Sequence, residues 1–230
     1  MRNAPAAATR VSHAPDPGCA TLSVPGRLLG PFALEPPVDT SAPGLVGLDQ
    51  FAVKQRITLM VNRYEIRALD AAGAEGPVLA MAQQKRMAFR EQVTFYADEA
   101  RTVPVFSFKA RQVMDLGATY DVFDAGGRPI GLFRKDFAKS LLRSTWHLEA
   151  EGVTAVGQER SVLVAALRRV QDAIPLAFHF DFVDPQGQLV MSSERKWSLR
   201  DRYVVKVPGA RLDGRVAAAM AVALDALQSR

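Results

Sequence analysis

The chain has 230 residues, 48% of them hydrophobic and 23% charged, with one cysteine and three histidines. That balance excludes a collagen, a wholly disordered chain and a disulfide scaffold, because Cys19 has no internal partner, and it argues against a multi-histidine metal centre. The net charge of +5 is unevenly held: residues 1–50 carry three basic and four acidic side chains, so the surplus falls on the remainder, where it suits an anionic partner or plain solubility.

Residues 1–47 hold eight of the fourteen prolines and lack an alternating apolar pattern, which predicts a disordered leader followed by a folded domain over 48–230. Pro5, Thr9, Arg10 and Ser12 interrupt any signal-peptide apolar block, and the sequence has no run of 18 apolar residues. A cytoplasmic protein, peripheral to membranes at most, is the expectation.

From Phe51 the pattern changes to short segments with large apolar residues at every second position. Tyr64-Glu65-Ile66, Val93-Thr94-Phe95, Tyr120 to Phe123 and Phe178 to Phe182 all show this half-buried strand period. Turn signals separate them: Asp70-Ala71-Ala72-Gly73, Asp124-Ala125-Gly126-Gly127 and Asp184-Pro185-Gln186-Gly187. Hairpin turns of this kind predict a mainly antiparallel sheet.

The segments also repeat. Lys85 to Val93 aligns without a gap on Arg195 to Tyr203, with looser copies beginning at Lys54 and Arg134 and a further basic mark at Lys109-Ala110-Arg111. Arg86 and Arg111 are 25 residues apart, and Arg111 and Lys135 are 24 apart, a spacing that fits two strands per unit in a barrel or sandwich.

Two helices are expected. Ser161 to Val170 has apolar residues at helical spacing with Arg168 and Arg169 on one side, and it ends before Pro175. Val216 to Leu224 is apolar throughout, with Asp213 as a plausible N-cap. A helix with no polar face must be buried on every side, and its alanines make it slim, so the economical arrangement is a barrel wrapped around it.

Together these features resemble the tubby C-terminal-like superfamily, and within it the LURP-one-related and phospholipid scramblase-like proteins. The residues carrying the likeness are Lys196-Trp197-Ser198-Leu199, the strand Asp201 to Val207, and the alanine-rich helix Arg215 to Leu227 with its Leu224-Asp225-Ala226-Leu227 close. The Asp184 turn and the strand Leu189-Val190-Met191 fit the preceding hairpin. The resemblance implies a 12-stranded antiparallel barrel enclosing the C-terminal hydrophobic helix, with the amphipathic helix as an addition. Tubby proteins bind phosphoinositides and scramblase-like members are associated with lipid movement. Neither the tubby phosphoinositide site nor the scramblase calcium and palmitoylation segments has a residue-by-residue match here.

No catalytic residue, metal or cofactor is expected. The sequence has no G-x-S-x-G elbow, and in the glycine-spaced stretch Gly126 to Gly131 Leu132-Phe133 stand where a phosphate loop needs Lys and Ser or Thr. His179 and Asp181 share a strand face but lack a third ligand, and Asp70, Asp124 and Asp184 are explained as turn residues. The functional lead is a set of basic residues at strand ends: Lys85, Arg86, Lys109, Arg111, Arg134, Lys135, Arg195 and Lys196, extended by Lys139 and Arg143. Clustered at one rim they would attract anionic lipid headgroups or a membrane surface; the plain alternative is that charges blunt exposed sheet edges. A protein-binding scaffold is the competing function. Nucleic acid is a weaker expectation, because the pairs lack interleaved aromatics for stacking.

Overall fold

A computed structural model describes residues 44–57, 61–85, 92–111, 119–136, 144–160, 179–196 and 202–228. All lie in the compact unit Asp39–Arg230. Twelve strands follow in chain order: β1 (Gln50–Ile57), β2 (Val61–Leu69), β3 (Glu75–Lys85), β4 (Gln92–Tyr96), β5 (Pro104–Ala110), β6 (Thr119–Asp124), β7 (Pro129–Asp136), β8 (Thr145–Ala150), β9 (Val153–Glu159), β10 (His179–Val183), β11 (Leu189–Lys196) and β12 (Arg202–Lys206). A 3₁₀ turn, Pro208–Ala210, leads to the helix α1 (Gly214–Gln228). The expected amphipathic helix at 161–170 lies outside the described residues, as does the leader.

Every strand pairs antiparallel with its neighbours in sequence, and β1 closes on β12, setting Phe51 against Val205 and Val53 against Tyr203. The result is a closed up-and-down barrel of twelve strands. Closure follows from the alternation seen in the sequence: one face of each strand is apolar, and rolling the sheet buries all twelve apolar faces in one interior. β4 and β6 show it plainly, with Val93, Phe95, Tyr120 and Val122 inside.

α1 fills that interior. Val216 to Leu224 are each at most 1% exposed. Its start is capped by Asp213, whose Oδ1 accepts the Arg215 backbone N–H at 2.8 Å, and Leu45, fully buried, packs its backbone against Gly214. Alanines keep the helix thin enough for large side chains to reach it from the wall. Phe95 stacks on Phe106 with centroids 4.1 Å apart, and Phe108, Tyr120, Phe133 and Trp146 continue the aromatic contacts around β5–β8. Where the wall itself comes close, glycine stands: a Cβ at Gly131 would lie 3.0 Å from Val216 of the helix.

Four turns at one end of the barrel share one design. In each of Asp70–Gly73, Asp124–Gly127 and Asp184–Gly187 the aspartate carbonyl accepts the glycine N–H at 2.9–3.1 Å. Its carboxylate accepts the N–H of the residue that follows the glycine, at 2.8–2.9 Å. The glycines sit at φ of +79° to +80°. These aspartates are therefore turn formers, as their spacing predicted. Asp98-Glu99-Ala100-Arg101 makes the same bonds, Arg101 N–H to the Asp98 carbonyl at 3.1 Å and Thr102 N–H to its carboxylate at 2.9 Å, but has arginine at the left-handed position, with φ +61°.

Candidate functional site

In an up-and-down barrel all odd strands run the same way, so the far ends of β3, β5, β7, β9 and β11 meet at one rim. Lys85, Lys109, Arg134, Lys135, Arg195 and Lys196 lie within the last three residues of four of these strands, and Arg111 follows β5 directly. Arg86, Lys139 and Arg143 lie outside the described residues. The rim belongs to a closed sheet, so these charges guard no free edge.

Adjacent residues of a strand face opposite sides, and this divides the basic pairs. Lys135 sits opposite Trp146 and Arg195 opposite Tyr203, both inward-facing partners. These two half-buried cations turn toward the barrel mouth, where the Lys135 Nζ lies 5.7 Å from the Trp146 ring centroid. Lys109, Arg134 and Lys196 take the outer face.

Carboxylates then neutralise part of the outer ring. Arg111 makes a two-pronged pair with Asp121 at 2.7 and 2.8 Å, and this bonding raises its pKa further above the ordinary guanidinium value. Lys196 Nζ bonds Glu194 at 2.9 Å, and Glu194 also receives Arg160 at 3.3 Å. The hydrogen bond from Lys196 is the main cause holding Glu194 below its usual carboxylate range, against the opposing effect of burial. Arg160, just past the end of β9, grips both oxygens of Asp181 at 2.7 Å. This places Asp181 in an ion pair, and no group of three or more potential metal-binding side chains occurs among the described residues. Of the strand-end cations expected from the sequence, Lys109 on β5 and Arg134 on β7 are exposed and form no ion pair among the described residues. Both lie in the β5–β7 sector of the rim.

Inside the same mouth lies a polar cluster that sequence reading did not find. Asp225, near the end of α1, accepts hydrogen bonds from Tyr64 at 2.9 Å and from Tyr203, and Gln55 donates to the Tyr64 hydroxyl at 3.3 Å. All four are buried. Arg160 was also missed, although it closes an alternating run just as the other rim cations do.

A closed twelve-stranded antiparallel barrel threaded by an apolar helix defines a tubby-like class of protein. The model of the LURP-one-related family matches residues 78–225, and the chain belongs to that family. No curated protein matches it. Among solved structures, a porin-like protein from Bacteroides uniformis is similar at 7% identity and a TM-score of 0.24, over 70% of this chain and 96% of that one. No helix among the described residues is long and apolar enough to cross a membrane.

Proposed function

We propose that this barrel is a non-enzymatic binding module whose basic rim associates peripherally with anionic phospholipid headgroups. The observation that carries this reading is the pair Lys109 and Arg134. They are exposed cations on the outer face at the same ends of β5 and β7, on a sheet with no edge to protect; neither forms an ion pair among the described residues, and Asp121, opposite Lys109, is held by Arg111. Each would contribute about 1 kcal/mol at an anionic surface.

Flotation of the full chain with phosphatidylcholine vesicles, with and without phosphatidylserine, tests the proposal. Recovery should require the anionic lipid, fall as salt shortens the screening length, and drop for Lys109→Glu combined with Arg134→Glu. Equal recovery on neutral and anionic vesicles at low salt would end this reading.

A further inference from the structure

Arg101 breaks a rule that the rest of the barrel obeys. Of the four Asp-initiated turns with the same hydrogen bonds, three put glycine at the left-handed position and the fourth puts an arginine there at φ +61°. A residue with a Cβ is disfavoured in that conformation, and such strain collects at functional sites. Glycine would relieve that strain, so the turn itself does not require the guanidinium.

Its surroundings say what. Arg101, Ala100 and Glu99 form one wall of a cavity of about 410 Å³ whose other walls are Arg56 from β1, Arg63 and Glu65 from β2, and Met81 and Gln83 from β3. Arg56 is already matched to Glu65 at 2.9 Å. Arg63 and Arg101 have no acidic partner among the described residues, and both are exposed. A larger cavity of about 720 Å³ lies beside β6–β8, but its arginines are each matched: Arg111 to Asp121, Arg128 to Asp124 and Arg215 to Asp213. Size therefore does not select the site; unmatched charge does.

We propose that the cavity between β1–β3 and the β4–β5 turn binds a small carboxylate with an apolar body, held by Arg63 and Arg101. Two guanidinium forks fit the two oxygens of a carboxylate. Glu99, with no ion pair among the described residues, stands on the same wall and leaves the lining a net charge of one, which suits a singly charged head better than a dianionic phosphate. Met81 and Ala82 offer apolar surface to the body, and the volume lies in the range of small-molecule sites. This site is separate from the rim residues Lys109 and Arg134 and does not depend on their role.

The test is calorimetric titration of the full chain with octanoate, with octanol and inorganic phosphate as controls. Octanoate should bind, octanol should bind at least tenfold more weakly, and phosphate should not compete at equal concentration. Arg101→Gly is the decisive variant, because it removes the guanidinium while relieving the backbone. Its melting temperature should match or exceed the parent's while its octanoate affinity falls about tenfold or more, the loss expected for a charge-assisted hydrogen bond. Arg63→Gln, on an exposed strand face, should lose affinity to a similar degree and serves should the turn variant fold poorly. Octanoate binding no tighter than octanol, or affinity unchanged in both variants, overturns the proposal.

Discussion

Tyr203 on the last strand donates its phenolic hydrogen to Asp225, the one carboxylate in an otherwise apolar stretch of the central helix, and Tyr64 on β2 donates to the other oxygen at 2.9 Å. Wall and plug are thereby joined at a fixed height. Apolar packing alone is non-directional, so an alanine-rich helix could slide or turn within a barrel at little cost. Two hydroxyls on a single carboxylate specify one depth and one rotation.

Removing one of these donors takes a hydrogen bond from a buried carboxyl group. Tyr203→Phe and Tyr64→Phe are each expected to lower stability by about 1.5–3 kcal/mol in urea unfolding. Combined with Asp225→Asn, Tyr203→Phe should be non-additive by roughly 0.5–3 kcal/mol, the coupling of residues in direct contact. Strict additivity would show that the two groups do not interact in solution.

A second expectation concerns Gly157 on β9. A Cβ there would lie 2.2–2.5 Å from three ring carbons of Phe182 on β10, so the ring occupies the place of a side chain. Gly157→Ala should destabilise the barrel by about 1–3 kcal/mol through overpacking. Adding Phe182→Leu should recover part of that loss, since a smaller side chain frees the space. A Gly157→Ala chain that melts with the parent would refute the contact.

The central helix gives a third. Ala219 is fully buried inside the barrel. Ala219→Leu should cost about 1–3 kcal/mol by overpacking, whereas on an outer surface the exchange would be nearly neutral, because both residues are good helix formers. Thermal unfolding of the variant distinguishes the two.

The outer wall carries an acid-sensitive cluster. Glu75 accepts Lys54 Nζ at 2.8 Å and lies 3.2 Å from Arg202 and 4.0 Å from Arg67. The Lys54 hydrogen bond is the largest cause of its lowered pKa; burial opposes it, and the nearby positive charges add to it. Since the carboxyl titrates lower in the folded chain than in the unfolded one, its stabilisation is complete above the unfolded value of about 4.5 and is lost as pH falls through the folded value. Glu75→Gln should therefore be less stable than the parent at neutral pH and show a shallower decline on acidification. Parallel curves for the two chains, measured by denaturant unfolding from pH 7 to pH 3, would contradict this.

Much of this molecule was legible in the residues. Period-two alternation marked β2, β4 and β6, the Asp-x-x-Gly spacing marked three of the turns, and the run Val216 to Leu224, having no polar face, demanded enclosure. Those features are local, so their physics is written in short stretches of chain. The 24–25-residue recurrence of basic residues also placed them at strand ends, and the uniform direction of odd strands brought those ends to one rim.

Which of those charges stay unmatched was decided only by tertiary structure. Arg160 meets Asp181 and Glu194 across 21 and 34 residues of sequence, and Tyr64 meets Asp225 across 161, because lateral pairing and closure set such distances rather than chain spacing. Alternation could have told that Arg134 and Lys135 straddle the wall, but only the fold shows that Asp121 neutralises Arg111 while nothing among the described residues neutralises Arg134. The sequence alone determined a sheet that had to close around its own tail. The folded chain determined where charge is left over, since electrostatic matching depends on distances in space that only closure of the barrel creates.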